Sequence, residues 1–293
     1  MSNATFYCQE WPSLPEAWAN AYLDLKKTPG REFAPFTVSV NAPSGLSLSA
    51  IHEHPMVRAL DECLEHDGEQ KVEGVAFTIF PERLWRLCRG DRQELYREFM
   101  KSLRTFVKWE PRKNQGGMYF ARLIGFGIDH RSGAKLGYKA SKTLAEDGNQ
   151  LEHVIRQCKK SVERGRKVAR MQLQAAVFDP FRDLTTAGQP SFPCLQHLAF
   201  DPDPESGALA ISAFYATQQL YVKAFGNWLG LCRLGEFVAK EAGLKLTRFS
   251  CFVGVQKMDK APKSATLRAD LLREAKEVAG RGVAPDLVVT GNG

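Results

Sequence analysis

Apolar positions along this 293-residue chain fall into two rhythms. At helical spacing they mark Pro55 to His66 and the run from Pro81 to Val107, where Leu84 and Leu87, then Leu95, Phe99 and Leu103, predict two helices joined at Arg89-Gly90-Asp91. Gly116-Gly117 opens an apolar segment, Met118 to Ile128, and Asn149 to Glu163 predicts a helix with Leu151, Val154, Ile155 and Cys158 on one side. The rhythm then shortens to every second residue. Met171, Leu173, Ala175 and Val177, and later Leu209, Ile211 and Ala213, have strand periodicity, so strands flank Cys194. Helical spacing returns from Asn227 to Ala242, with Gly243 as its stop. A strand over Leu244 to Val255, a helix over Ser264 to Gly280 and a frayed end at Thr290 to Gly293 complete the pattern. Residues 1–50 carry prolines at 12, 15, 29, 35 and 43 and read as irregular apart from a short helix, Glu16 to Lys27.

Together these elements predict one α/β domain, a mixed sheet packed by helices. Residues 1–75 read as an irregular extension with short helices packed on the main domain, 76–260 as that domain, and 261–293 as a helix and tail.

Hydrophobic residues make up 44% and charged residues 25%, ordinary for a globular chain. No run approaches the ~18 apolar residues that cross a bilayer, and residues 1–20 lack a signal peptide's basic start and apolar stretch. The expectation is a soluble cytoplasmic protein with no membrane partner. Seven scattered cysteines form no Cys-x-x-Cys pair, so neither a disulfide framework nor a metal site is readable. A net charge of +7 favours an anionic partner, a phosphorylated small molecule or nucleic acid.

The chemistry concentrates between Phe192 and Lys257. Phe192-Pro-Cys-Leu-Gln-His-Leu-Ala-Phe200 is followed by a return strand and by Ala224-Phe-Gly-Asn-Trp-Leu-Gly-Leu231. This order resembles the catalytic half of the thymidylate synthase family. Upstream, Asn149-Gln-Leu-Glu-His-Val-Ile155 is similar to that family's Asp-Gln-Leu helix, and Val177-Phe-Asp-Pro180 to its strand ending in a tryptophan-asparagine or asparagine-proline pair. Glu82-Arg-Leu-Trp85 with Gly90-Asp91 resembles the helix presenting the family's glutamate, with one extra residue here. Tyr119 sits where the family has a tyrosine-glycine. The likeness spans roughly residues 80 to 257 and rests on several weak motifs in the right order.

The resemblance implies one-carbon transfer to C5 of a pyrimidine nucleotide or related base. C5 is a poor nucleophile until a thiolate adds at C6, so a cysteine is needed, and Cys194 takes that position. The Asn227 amide would read the ring edge, offering both donor and acceptor. Glu82 would relay protons. Tyr119, Thr217, Gln219, Arg170, Arg166 and Lys257 fall on or near the family's substrate contacts. The implied one-carbon donor is a methylene-tetrahydrofolate, the implied assembly a homodimer through the sheet face, with no metal. Departures cluster on phosphate and sugar. Ala216 replaces the strand arginine, a loss of roughly 1.5–3 kcal/mol per charge-assisted hydrogen bond. Gln219 replaces an aspartate, Lys257 and Asp259 replace the late histidine and tyrosine, and the folate-closing tail and the N-terminal arginine-threonine-glycine loop are unrecognisable. These departures favour a second expectation, a scaffold that binds a nucleotide, nucleic acid or protein without turnover.

Each residue has a plainer explanation. Cys194 could be core, Asn227 an N-cap, and Glu82 a carboxylate favoured at a helix start. Lys159 to Arg170 reads equally as a solvated face. Tyr119, Phe106 and Trp109 read as core rather than a stacking platform, and His52 and His197 are unassigned.

Overall fold

The computed structural model describes residues 5–109, 118–130, 132–138, 144, 147–186, 192–258 and 260–281. Gly116-Gly117, Asp259, the Thr290 to Gly293 end and the side chains of Phe106 and Trp109 lie outside the described residues. In chain order the elements are β1 (Thr5–Trp11), α1 (Leu14–Lys27), β2 (Glu32–Asn41), α2 (Pro55–Asp67), α3 (Val72–Phe77), α4 (Glu82–Leu87) and α5 (Arg92–Trp109). There follow α6 (Tyr119–Ile124), α7 (Gln150–Glu163), β3 (Gln174–Ala176), α8 (Pro180–Asp183), β4 (Leu195–Asp203) and β5 (Ala208–Gln219). Last come α9 (Phe225–Ala242), β6 (Lys245–Lys257) and α10 (Ala265–Arg281). The fold is α/β, as the two rhythms predict.

Six strands form one mixed sheet in the order β1-β2-β6-β5-β4-β3. β1 with β2 and β5 with β6 are parallel pairs; the other neighbours run antiparallel. The amino-terminal region departs from its irregular reading, because it supplies two strands of this sheet, and β2 lies against β6 near its centre. Pro35 is tolerated there because the β2–β6 ladder is broken between Phe33 and Phe36, which leaves no demand for the donor proline lacks. The strand expected over Met171 to Val177 shrinks to three residues, preceded by a 3₁₀ turn that leaves Met171 exposed.

A line of kinks crosses the sheet. Inward-facing residues are spaced three apart instead of two at Phe33 and Phe36, Tyr215 and Gln218, and Val253 and Gln256, three adjacent strands at one level. β4 shifts register at the same level, between Leu195 and His197. Such bulges bend strands and re-aim side chains. At the kink β5 and β6 come so close that a Cβ on Gly254 would lie 2.8 Å from the Ala216 carbonyl oxygen.

Helix α9 crosses the covered face of the sheet. Trp228 stacks on Phe36 of β2, and the backbone of α9 meets α3 so closely that a Cβ on Gly230 would stand 2.8 Å from the Ala76 carbonyl oxygen. The opposite sheet face carries Ser39 and Ser250, whose hydroxyls bond at 2.8 Å, and a stacked pair, Phe214 and Phe252, exposed by 39% and 42%.

Candidate functional site

β5 and β6 both end, and β4 and β2 both begin, at one end of the sheet beyond the kinks. Topology therefore gathers Cys194, Thr217, Gln219 and Lys257 there, residues up to 63 positions apart in the chain. The carbonyl of Cys194 accepts from the Ala216 N–H at 3.1 Å, which ties the candidate nucleophile to the position where the resemblance expects an arginine. The start of α9 returns to the same end, since Trp228 Nε1 donates to Gln218 Oε1 at 3.1 Å.

Cys194 is half-buried. Burial pushes its thiol above the ordinary cysteine range, and the positive charge of Lys223 opposes that rise. Tyr119, at the start of α6, lies beside it. Burial raises the phenol, the neighbouring Cys194 adds to the rise, and the backbone N–H groups of Leu195 and Cys194 partly offset it. Tyr215, one strand over, is buried with an unpartnered hydroxyl.

Asn227 is not an N-cap. Leu220–Ala224 forms a π-helical turn that runs directly into α9, so residue 227 is the third residue of a continuing helix. It is 5% exposed, and its amide makes no hydrogen bond among the described residues. A buried amide without a partner is costly unless water or a ligand supplies one. On the paired strands β5 and β6, Gln218 Nε2 and Gln256 Oε1 are sealed and unpartnered. The π turn that sets this helix start is fastened on two sides. Trp18 Nε1 donates to the Leu220 carbonyl at 3.1 Å, and the Tyr221 hydroxyl to Asp67 at 2.9 Å. Such turns recur at functional sites.

Other expected residues are placed differently. Glu82 does start α4, but its carboxylate is engaged by Arg86 and lies 2.7 Å from Arg233 of α9. Thr217 donates to the Val255 carbonyl at 3.2 Å, Gln219 pairs with Lys257 in the ladder, and Lys257 stands 4.0 Å from Glu32. Arg170 bonds Asp201 through two nitrogens, at 3.1 and 3.2 Å, and Arg166 is exposed nearby. Asp201 is seven residues along β4 from Cys194, roughly 23 Å at strand rise. Within one chain these arginines do not reach the thiol.

A cavity of about 430 Å³ lies at the other end of the sheet, lined by Pro12–Pro15, Ala42, Ser44–Leu48 and His54 among others. It includes none of the residues expected from the sequence. Lys223, Tyr215, Gln218 and Gln256 escaped the sequence reading; the one signal was Gln218-Gln219 interrupting an apolar strand. Among the described residues no three potential ligands cluster to hold a metal, and no helix is long and apolar enough to cross a membrane. Comparison with protein-family models and with curated proteins finds no match.

Proposed function

We propose that the chain activates C5 of a pyrimidine nucleotide or related base for one-carbon transfer, with Cys194 as the nucleophile. The carrying observation is the unpartnered, nearly buried amide of Asn227 at the same end of the sheet as the half-buried Cys194 thiol. In this reading the thiolate adds to C6 and the C5–C6 electron pair moves onto C5 and the ring carbonyl. C5 then takes up an electrophile, loses its proton, and the thiolate departs to restore the double bond. Asn227 would satisfy its amide on the ring edge, which orients C6 toward sulfur.

The one-carbon donor implied by the resemblance is a methylene-tetrahydrofolate. The residues do not fit it: α10, which stands where the resemblance expects a closing tail, packs on α1 and α2 instead. No step is therefore routed through that donor.

A homodimer through the uncovered sheet face belongs to the same proposal. The exposed Phe214–Phe252 stack supports it, and so does the distance of Arg166 and Arg170 from their own chain's thiol, since only a partner could bring such cations to a phosphate. A second reading, binding without turnover, is favoured by one observation. Glu82, the proton relay of the first reading, is held by Arg233 and Arg86.

Exchange of a C5 tritium from uridine monophosphates into water separates the two. The expected result is release by the wild-type chain and none by a folded Cys194→Ala variant. Equal release by both removes the mechanism, and nucleotide-induced thermal stabilisation without any release selects the binder.

A further inference from the structure

The positive charge of the chain is concentrated in one place. Between Arg156 and Arg170, in the second half of α7 and the connector to β3, stand seven lysines and arginines and one carboxylate, Glu163, so this segment carries +6 of the net +7. The rest of the chain is all but balanced. Leu151, Val154, Ile155, Cys158 and Ser161 bury one face of α7, which turns Arg156, Lys160 and Arg164 outward, four positions apart, with Lys159 half-buried beside them. At helical rise these cations follow one another about 6 Å apart in a straight row.

The connector extends the row along a fixed path. Gly165 turns it with a φ of +59°, the Ser161 hydroxyl donates to the Arg166 carbonyl at 2.9 Å, and Lys167 and Arg170 are tied to Asp203 and Asp201 of β4 at 3.6 and 3.1 Å. Those aspartates neutralise only that end. Lys159, Lys160, Arg164 and Arg166 make no ion pair among the described residues, and Glu152, the other carboxylate on α7, is spent on Arg92 and Tyr96. The helix dipole favours cations in the last turn alone, so it does not account for a row that begins two turns upstream.

We propose that this row is a docking surface for double-stranded nucleic acid, gripped through its phosphates. A regular line of cations on a rigid rod suits a polyanion of fixed charge spacing, whose binding is driven by the release of counterions. Other anionic partners fit less well. A helix that lies on a membrane interleaves large apolar side chains for insertion, and a single-strand binder adds aromatic rings on which bases stack. The outward face of α7 has no exposed apolar side chain, and the helix contains no phenylalanine, tyrosine or tryptophan. The inference is independent of the Cys194 chemistry, and its test leaves Arg166 and Arg170 untouched.

That test is the fluorescence anisotropy of a labelled DNA duplex of about 20 base pairs, titrated with the full chain from about 25 to 200 mM salt. The triple variant Lys159→Gln, Lys160→Gln, Arg164→Gln should bind about tenfold more weakly or worse at low salt, and its log affinity should fall less steeply with log salt, by about one unit of slope per phosphate contact removed. A control of equal net charge, Lys27→Gln, Arg273→Gln, Lys276→Gln, takes three exposed cations from α1 and α10 and should lose less than about threefold. Thermal unfolding should show both variants folded, since no substituted side chain lies in the core. Equal losses in the two variants, or a wild-type chain that binds no duplex at the lowest salt, overturn the proposal. Tighter binding to a single strand of the same length, or to phosphatidylserine vesicles, overturns it as well.

Discussion

Two polar clusters in this molecule are built to opposite ends. Around Arg122 the strong groups are spent but for one, the buried Nη2 of Arg182. The guanidinium of Arg122 makes a two-pronged contact with Asp183, at 2.5 and 2.8 Å, and donates to the Val177 carbonyl at 2.9 Å. Asp183 also accepts from the Asp179 N–H, and Asp179 from Tyr138, Arg182 and the Phe181 N–H. Gln150 closes the set through both ends of its amide, on the Arg122 and Ala176 carbonyls and the Ala176 N–H. Beyond the sheet kinks the accounting stays open. Gln218, Gln256 and Tyr215 have sealed polar atoms without partners, and the amide of the nearly buried Asn227 makes no hydrogen bond among the described residues. The first cluster fastens α6, α7 and the end of β3 together. The second leaves hydrogen-bonding capacity that only water or a ligand can take up.

The largest effect that sharpens this contrast is Arg122→Met. It strands Asp183, itself nearly sealed, without its counter-charge, so stability to urea should fall by about 3–5 kcal/mol. A loss under about 1 kcal/mol would mean that the cluster is not structural glue, and the comparison would lose its first half.

A somewhat smaller effect comes from His130, at the edge of the same cluster. Burial drives its imidazole down from 6.5 to about 4, Arg122 and Arg182 push the same way, and its Nε2–H donates to the Gly125 carbonyl. The unfolded chain therefore takes up a proton near pH 6.5 that the folded chain refuses until about pH 4. This contribution is whole above pH 6.5 and is lost as pH falls through that window, on the order of 3 kcal/mol in all. His130→Gln should flatten the corresponding slope of unfolding free energy against pH, and an unchanged slope would assign the acid sensitivity to other groups.

How far the sequence foretold this follows from what each signal carries. Helices α5, α7 and α9 announce themselves because a long apolar stripe repeats many times, and Asn149 and Gly243 mark ends as cap and stop. β1 and β2 were hidden by Pro35 and by the three-residue step from Phe33 to Phe36, which destroys the alternation that strand reading depends on. The same step conceals the site, since the kinks at Tyr215–Gln218 and Val253–Gln256 are properties of paired strands and not of either alone. Cys194 and Asn227 were legible as candidates only through the motif order that resembles a known family, and the structure adds that both lie at the same end of the sheet. Lys223 was not, because a lysine at a strand–helix junction looks like any solvated charge until the turn around it is known.

The smallest effect is the most discriminating, because it concerns a residue whose removal should cost the fold almost nothing. Asn227→Ala deletes a buried amide that holds no protein partner, and alanine is the better helix former by several tenths of a kcal/mol, so stability should stay within about 1 kcal/mol of wild type. Truncation also opens a small space beside α9, which works in the opposite direction and keeps the net change small. A structural amide behaves otherwise, leaving its former partners stranded at about 1–3 kcal/mol. The paired readout is stabilisation by a pyrimidine nucleotide, followed by thermal unfolding at saturating ligand. Wild type should gain and Asn227→Ala should gain little, because the ring would lose its donor–acceptor partner while the empty protein stays intact. If Asn227→Ala instead unfolds easily and without ligand, the open valences beyond the kinks are bridged by internal water as part of the fold, and the two clusters differ only in what satisfies them.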